Sequence, residues 1–488
     1  MTCRRQSENS TYNMTSEEVL SIFKEITKIP RESGHEEKIV AWLQSFAAAH
    51  ALECHTDAAG NAVIVKEASE GKENVPTIVL QSHSDMVCEK NAGVDHDFSR
   101  DPIKYEIRDG WMVAPDTTLG ADCGIGMAAQ LAVLTSGLST GRIEALFTVA
   151  EETGLDGAKA LQPGFITGRT LINLDSEDEG ELFIGCAGGL DTTAVFQYFQ
   201  SETPRDTACF RLRVYNALGG HSGDDIDKGR ANAVQLLSRF LYSQEGKGMH
   251  LCRIDGGNKR NAIAREAEAV VAVDKEAAAS MQAEFLAFAA DVSAEYGVTD
   301  PDLKFECTGT DPCGTCIDDA TAQALVRALF AAPHGVLAMS ADISGLVETS
   351  TNLASVKMLP DNKVRIGTSQ RSSVISEMRA AAARVEACFR LAGAEVTHES
   401  EYPGWKPDTH SALLEKCVAS YQRLFGNRPV VRAIHAGLEC GLFLEKYPDL
   451  DMISFGPTLR GVHAPGERLD LASLDKFVKF LEDVVVNW

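Results

Sequence analysis

Apolar residues in the first fifty positions recur at helical spacing: Val19, Leu20, Ile22, Phe23 and Ile26, then Ile39, Trp42, Leu43 and Phe46. An apolar residue every three to four positions predicts helix over 17–49, and Pro30 and Gly34 divide it in two. Beyond it the period changes. Short continuous apolar runs at 62–65, 77–80, 145–149 and 171–174 predict strands buried on both faces, with a helix at 125–134 among them. That alternation is the pattern of an α/β domain. Composition shifts at Gly185-Cys-Ala-Gly-Gly189, which reads as a hinge. After it, strands are expected at 209–215 and 270–273 and helices at 231–241 and 277–289, an α+β pattern. The first pattern resumes after Trp405, with helices at 412–425, 439–445 and 471–486 and a strand at 452–455. The chain thus reads as an α/β domain, 1–188 and 402–488, interrupted by an inserted α+β domain, 189–401. No tandem repeat at a fixed period is visible.

Acids and histidines cluster at the ends of these runs, and open α/β sheets form their sites beyond the carboxyl ends of the strands. The run at 77–80 leads into Gln81-Ser-His83-Ser-Asp85. Residues two apart in extended chain project the same way, so Asp85 can accept the second N–H of His83 and fix its tautomer for metal binding. Alone, this could equally be a polar strand end. Gly120-Ala-Asp122-Cys-Gly124-Ile-Gly126 packs glycines around a carboxylate just before a helix, where an aspartate also serves as a simple cap. Glu151-Glu152-Thr-Gly154 ends a buried strand in two adjacent carboxylates, which repel each other unless cations hold them. Leu171-Ile-Asn-Leu-Asp175 ends another in an acid, and Gly461-Val-His463-Ala-Pro-Gly-Glu467 places a late histidine in a Gly/Pro turn. Carboxylates mixed with imidazoles suit zinc, manganese or cobalt. Two divalent cations would balance three carboxylates (Asp122, Glu152, Asp175) and one hydroxide.

Charge and cysteine usage narrow the class. A net charge of −24 argues against nucleic-acid or anionic-membrane binding. No leader is expected in the polar start Met1-Thr-Cys-Arg-Arg, and no apolar run approaches the ~18 residues of a membrane span. Thirteen scattered cysteines fit reduced thiols in a cytoplasm better than a disulfide framework. Cys313-Gly-Thr-Cys316 can be a redox pair or half of a zinc site, but its flanks lack a strand-to-helix context. Asp95-His-Asp97 reads as an ordered loop, and Glu177-Asp-Glu-Gly-Glu181 as a solvated acidic turn.

Taken together, H-x-D, G-A-D-x-G-x-G, E-E-T-G, N-L-D and G-V-H-A-P-G-E resemble the dinuclear metallopeptidases that include peptidase T, carnosinases and aminoacylases. Several variants resemble the aminoacyl-histidine (Xaa-His) dipeptidase branch. They are Asp95-His-Asp-Phe-Ser-Arg-Asp-Pro102, Gly219-Gly-His221-Ser-Gly, Gly257-Asn-Lys-Arg-Asn261 and His435-Ala-Gly-Leu-Glu439-Cys-Gly441. The resemblance spans about 80 to 467 and implies an α/β catalytic domain with a dinuclear metal site, plus an inserted lid and dimerisation domain. It implies that His83 and Asp175 hold one ion and Glu152 and His463 the other, with Asp122 bridging ahead of a cis peptide to Cys123. The family often has Asp or Asn where Cys123 stands. Asp85 would orient His83, Glu151 would be the general base, and His221 would stabilise the oxyanion across a homodimer. Asn261 and Arg371 would bind the substrate carboxylate and Glu439 its amine. The expected activity is hydrolysis of small peptides with a free amino terminus, Xaa-His included, in the cytoplasm and with two divalent ions, zinc foremost. A tripeptidase or N-acyl amino acid deacylase is the alternative on the same scaffold.

Overall fold

The chain is described by a computed structural model covering residues 14–488; the polar start from which no leader is expected lies outside the described residues. It divides into two units. The first is Met1–Gly185 with Pro407–Ala433 and Glu439–Trp488; the second is Cys186–Lys406 with Ile434–Leu438. These bounds differ by a few residues from 1–188, 189–401 and 402–488, and the return at 434–438 leaves no mark in the hydropathy pattern.

In the first unit the apolar runs pair as adjacent parallel strands in the order Ile143–Thr148, Ile78–His83, Thr170–Asn173 and Asp451–Ser454. The first three are buried at every position, as continuous apolar runs require. The hairpin Glu53–Thr56 and Ala62–Lys66 extends one side, and Glu181–Cys186 with Val430–Ile434 the other. Helix Ser16–Ile26, started by a Thr15/Glu18 capping box, buries Val19, Phe23 and Ile26 and packs on the almost wholly buried helix Ala121–Thr135. That helix begins before the expected 125 because its first turn, of Ala, Asp, Cys and Gly, carries no apolar period. Register sets His83 level with Thr148 and Gln81 level with Asn173, so three strands release their carboxyl ends side by side. A small antiparallel sheet of Leu459–Arg460, Arg468–Asp470, Trp111–Val113 and Glu106–Arg108 holds the ends of the 461–467 loop.

The second unit is built on an antiparallel sheet. Its order is Lys304–Gly309, Thr207–Tyr215, Ala267–Asp274, Met249–Gly257, Val347–Leu359, Lys363–Ser372, Gly188–Gln197, Glu395–Tyr402. Helices Ala233–Ser243, Lys275–Glu295, Asp319–Ala331 and Ile375–Leu391 share one apolar core with it. The expected hinge at 185–189 is instead strand on both sides of Ala187. Cys186 and Trp405 exchange both backbone hydrogen bonds at 2.9 Å, and a Cβ on Gly188 would stand 2.5 Å from the Gly404 nitrogen and the Tyr402 carbonyl oxygen. The glycine is there for close backbone approach.

Phe240 lies at the centre of the second unit's core, edge-on to Phe285 at 4.8 Å between ring centroids. Phe240→Ala should destabilise this unit by about 3–5 kcal/mol. Denaturant unfolding followed by tryptophan fluorescence and circular dichroism checks this; an unchanged midpoint would contradict the packing described.

Candidate metal centre

Five side chains meet at the released strand ends of the first unit. Asp122 stands between two imidazoles: its Oδ1 is 3.0 Å from His83 Nε2 and its Oδ2 is 3.0 Å from His463 Nε2. Asp175 Oδ1 is 3.3 Å from His83 Nε2, and Glu152 Oε1 is 3.0 Å from His463 Nε2. The peptide between Asp122 and Cys123 is cis. Cys123 is buried beside Asp175, with its thiol 3.3 Å from the Leu174 carbonyl oxygen.

Two ligand-bearing turns are held by side chains. In one, Glu467 accepts four successive amides: Leu119 at 2.7 Å, Gly120 at 2.9 Å, Ala121 at 2.8 Å and Asp122 at 3.3 Å. In the other, Asn61 Oδ1 takes the Val149 amide at 3.1 Å and Glu36 the Ala150 amide at 2.9 Å. Asp85 completes it, its two carboxylate oxygens accepting from Glu151 at 3.1 Å and Glu152 at 3.2 Å. Ala150 and His463 are left-handed, with φ of 50° and 60°. Non-glycine residues hold that conformation only where the surroundings impose it. Arg31 ties the turns together: fully buried, it donates to the Asp85 carbonyl oxygen at 2.6 Å, to that of Ser84 at 3.2 Å and to that of Gly120. A Cβ on Gly120, whose φ is 67°, would stand 2.5 Å from the guanidinium.

The contacts of Asp85 therefore extend beyond His83. Its Oδ1 is 3.4 Å from His83 Nδ1, which also lies 3.2 Å from the Asp85 carbonyl oxygen, and Ser33 donates to its Oδ2 at 2.7 Å. Burial pushes the Asp85 carboxyl up, but His83, Ser33 and the Glu151 amide together hold it well below the usual range. Arg31 and Glu467 were not assigned roles from sequence. Glu467 closes the G-V-H-A-P-G-E motif, and its position is the only trace of its task. For Arg31, directly after Pro30, no local pattern shows the fully buried guanidinium.

The residues present fit divalent cations. Glu152 Oε1 and Asp175 Oδ1 are buried, each facing an imidazole nitrogen but in hydrogen-bonding geometry with no donor. Burial raises the Asp175 carboxyl to about 6, with the Asp122 charge adding to it. The Asp122 and Glu152 carboxylates facing it push the His463 imidazole up to about 11, and the surrounding acids raise His83 against the opposing effect of burial. The two imidazoles and Asp175 respond as if positive charge were wanted there, which ions supply. Burial, then the charges of Asp175, Glu439 and Glu152, drive the neighbouring Glu151 carboxyl well up. Glu439 is buried nearby: Gln81 and Thr148 donate to its Oε2 at 2.6 and 2.8 Å, while its Oε1 has no partner. The acidic run 177–181 is not the solvated turn expected. Asp178 pairs with Arg460, Glu179 with Lys476 and Glu181 with Arg432, while burial and the charges of Asp122 and Asp175 raise Glu177 to about 7.

The remaining candidates lie in the second unit. Ser222 joins them: its amide donates to the Asn261 carbonyl oxygen at 2.9 Å, and its hydroxyl lies 3.3 Å from Arg371 Nε. Tyr402 takes Arg371 Nη1 at 3.3 Å. Half-buried His221 has Nδ1 3.3 Å from Asp224, and Gly219 and Gly220 before it are both at positive φ. His435 is buried against Ser350 Oγ at 2.7 Å, and burial lowers it to about 4.

Residues 79–487 match the model of peptidase family M20/M25/M40, and the chain belongs to that family. It is 38% identical over 466 residues to the cytosol non-specific dipeptidase of Escherichia coli (strain K12), covering 95% of this chain and 96% of that protein. The crystal structure of aminoacylhistidine dipeptidase from Vibrio alginolyticus superposes with a TM-score of 0.92 at 37% identity, covering 98% of both chains. That of aminopeptidase PepT from Bacillus cereus ATCC 10987, at 0.59 and 17% identity over 97% and 98% of the two chains, shares the fold. The chain is a metallopeptidase scaffold, and the family implies use of divalent metal.

Glu467→Gln keeps the shape but turns an N–H₂ toward amides that need acceptors, loosening the Asp122 turn. Metal affinity should fall about 10–100-fold, as for lost ligand-orienting contacts elsewhere. Competition with a chromophoric chelator measures it, and wild-type affinity would remove Glu467 from this task.

Proposed function

We propose that this chain is a metal-dependent dipeptidase acting on dipeptides with a free amino terminus, Xaa-His among them. The observation that carries the reading is the Asp122 carboxylate set between His83 and His463, one oxygen to each. Two divalent ions per chain would be held by His83 with Asp175 and by Glu152 with His463, with Asp122 shared between them. Zinc is the first choice, with cobalt or manganese as alternatives. When bound, such ions polarise the peptide carbonyl and acidify the attacking water.

The chain's own residues supply the proton traffic and the fit. Glu151 takes the proton of the attacking water and delivers it to the departing amine. Its backbone is fixed by Asp85, so its carboxyl stays beside the cluster without occupying a ligand position. The free Oε1 of Glu439 suits the substrate ammonium. Arg371 and Asn261 suit its carboxylate, and His221 the oxyanion in the centre of a second copy, in a homodimer made through the inserted unit. Reading both charged ends excludes longer chains, because an unmatched buried charge is costly. High identity to a protein named a cytosol dipeptidase supports both the substrate class and a cytoplasmic location. No described helix is long and apolar enough to cross a membrane. A tripeptidase reading draws on likenesses at 17% identity, which share the fold alone. Side-by-side assays of Ala-His, tripeptides and N-acetyl amino acids test this choice: turnover confined to the last two would sink the dipeptidase reading.

Metal analysis should find about two divalent ions per chain, since five ligands with a shared carboxylate exceed the needs of one zinc. Glu151→Gln should retain them and lose turnover by roughly 10²–10⁴-fold. Asp122→Ala should lose metal as well. Near-normal turnover in Glu151→Gln would move the base elsewhere.

Mixing inactive Glu151→Gln chains with inactive His221→Ala chains should restore activity as subunits exchange. One centre of each heterodimer then combines an intact Glu151 with an intact His221. Proven heterodimers without activity would return His221 to its own chain or to no catalytic role.

A further inference from the structure

Four of the thirteen cysteines converge in the second unit, remote in sequence from every proposed ligand. They are Cys209 on strand Thr207–Tyr215, Cys252 on Met249–Gly257, Cys316 on Thr315–Ile317, and Cys313 in the turn before it. Cys252 Sγ lies 2.8 Å from Cys316 Sγ. Cys313 donates its amide to Cys209 Sγ at 3.0 Å, and its thiol interacts with those of Cys209 and Cys252. The C-x-x-C spacing thus misleads: the close partner of Cys316 is Cys252, sixty-four residues away.

Three features make this more than crowding. Strand Met249–Gly257 carries a bulge at this point: Leu251 pairs with Val271 and Arg253 with Val270, leaving Cys252 without a ladder partner. Bulges re-aim a side chain, and here the one re-aimed is a thiol facing a thiol. Second, the 2.8 Å separation is wrong for two ligands of one zinc, which stand roughly 3.8 Å apart given ~2.3 Å bonds and tetrahedral angles. It leads instead toward the about 2.0 Å of a disulfide. Third, the cluster has an entrance. A cleft of about 840 Å³ is lined by Cys209 and Cys313, with Thr203, Asp206, Thr310 and Pro312. Hydrogen bonding from Cys252, then from Thr203, draws the buried Cys316 thiol below its usual range and raises Cys252 in turn, so the pair holds its thiolate on Cys316, while burial raises the Cys313 thiol to about 11 and makes its thiolate the scarce species.

We propose that Cys252 and Cys316 form a reversible disulfide, made by exchange with a small-molecule disulfide that enters through this cleft at Cys313. The Cys313 thiolate attacks one sulfur of the incoming disulfide, RSSR, releasing RS⁻ and leaving a mixed disulfide. Cys252 attacks the Cys313 sulfur and releases the second thiol. Cys316 then attacks Cys252, returning Cys313 to the thiol state. Two protein thiols are oxidised by two electrons, RSSR is reduced to two RSH, and the thiol protons end on the released thiolates. The bond ties the two-stranded sheet of Gln200–Glu202 and Thr315–Ile317 to the large sheet of the same unit. It requires neither bound metal nor peptidase activity.

The test treats reduced, full-length protein with excess oxidised glutathione, alkylates the remaining thiols and maps peptides by mass spectrometry. A Cys252–Cys316 cross-linked peptide, loss of two alkylatable thiols and no retained glutathione are expected, all reversed by dithiothreitol. Cys313→Ser should slow cross-linking by about ten-fold or more, since attack would then have to reach a buried sulfur. Cys252→Ser should arrest the reaction as a glutathione adduct on Cys313 or a Cys209–Cys313 bond. Alkylatable Cys252 and Cys316 after oxidation, or a stable adduct on Cys313 in the unsubstituted chain, would overturn the proposal. So would a thiophilic metal ion bound in addition to those of the first unit, lost in Cys252→Ser and protecting all four thiols from oxidation.

Discussion

Two runs of four consecutive backbone amides, 119–122 and 149–152, have side-chain oxygens as their hydrogen-bond acceptors, and the centre depends on how they are satisfied. Buried N–H groups without partners are costly, so a chain that leaves its strands inside the protein must find acceptors elsewhere. Glu467 serves the first run alone; Asn61, Glu36 and Asp85 divide the second. Arg31 then bridges the backbones beside them and compensates the buried charges of Glu467 and Asp85. Asp122 and the Glu151–Glu152 pair are thus positioned by bonds to their backbones, leaving their carboxylates free of structural duty.

That separation lets the ligand oxygens remain unsatisfied. Oxygens on Glu152, Asp175 and Glu439 are buried with no donor in hydrogen-bonding geometry, a costly condition that cations and a substrate ammonium would relieve. Stability and function pull in opposite directions at this spot, and the sheet carries the difference. Its central parallel strands are buried throughout and aligned so that His83, the 149–152 turn and Asp175 emerge together.

The second unit solves a different problem with polar side chains in its interior. Across adjacent strands Thr349 meets Ser372 at 2.9 Å and Thr351 meets Gln370 at 3.1 Å, while Asn352 caps two carbonyls of the 260–262 segment. A network of this kind specifies strand pairing and fixes the segment beside His221 and Ser222. The thiol cluster lies in this unit too, around a bulge that interrupts one ladder.

Hydropathy alone determined the α/β and α+β halves, the core strands and the terminal helices, because burial on two faces or one leaves distinct periods in the chain. Acids that close buried apolar runs repel one another unless cations hold them, which marked Glu152 and Asp175 as ligand candidates, and the resemblance to dinuclear metallopeptidases joined His83, Asp122 and His463 to them. Strands Val347–Leu359 and Lys363–Ser372 escaped that reading because their buried positions are largely Ser, Thr, Asn and Gln, satisfied by partners on another strand. The same limit hid Arg31, the task of Glu467, the several bonds of Asp85 and the pairing of Cys316 with Cys252 rather than Cys313. Sequence encodes which residues are apolar, acidic or nucleophilic and at what local spacing. Which buried donor meets which acceptor across hundreds of residues was decided only when the strands paired, because that match depends on distance in space and not on distance along the chain.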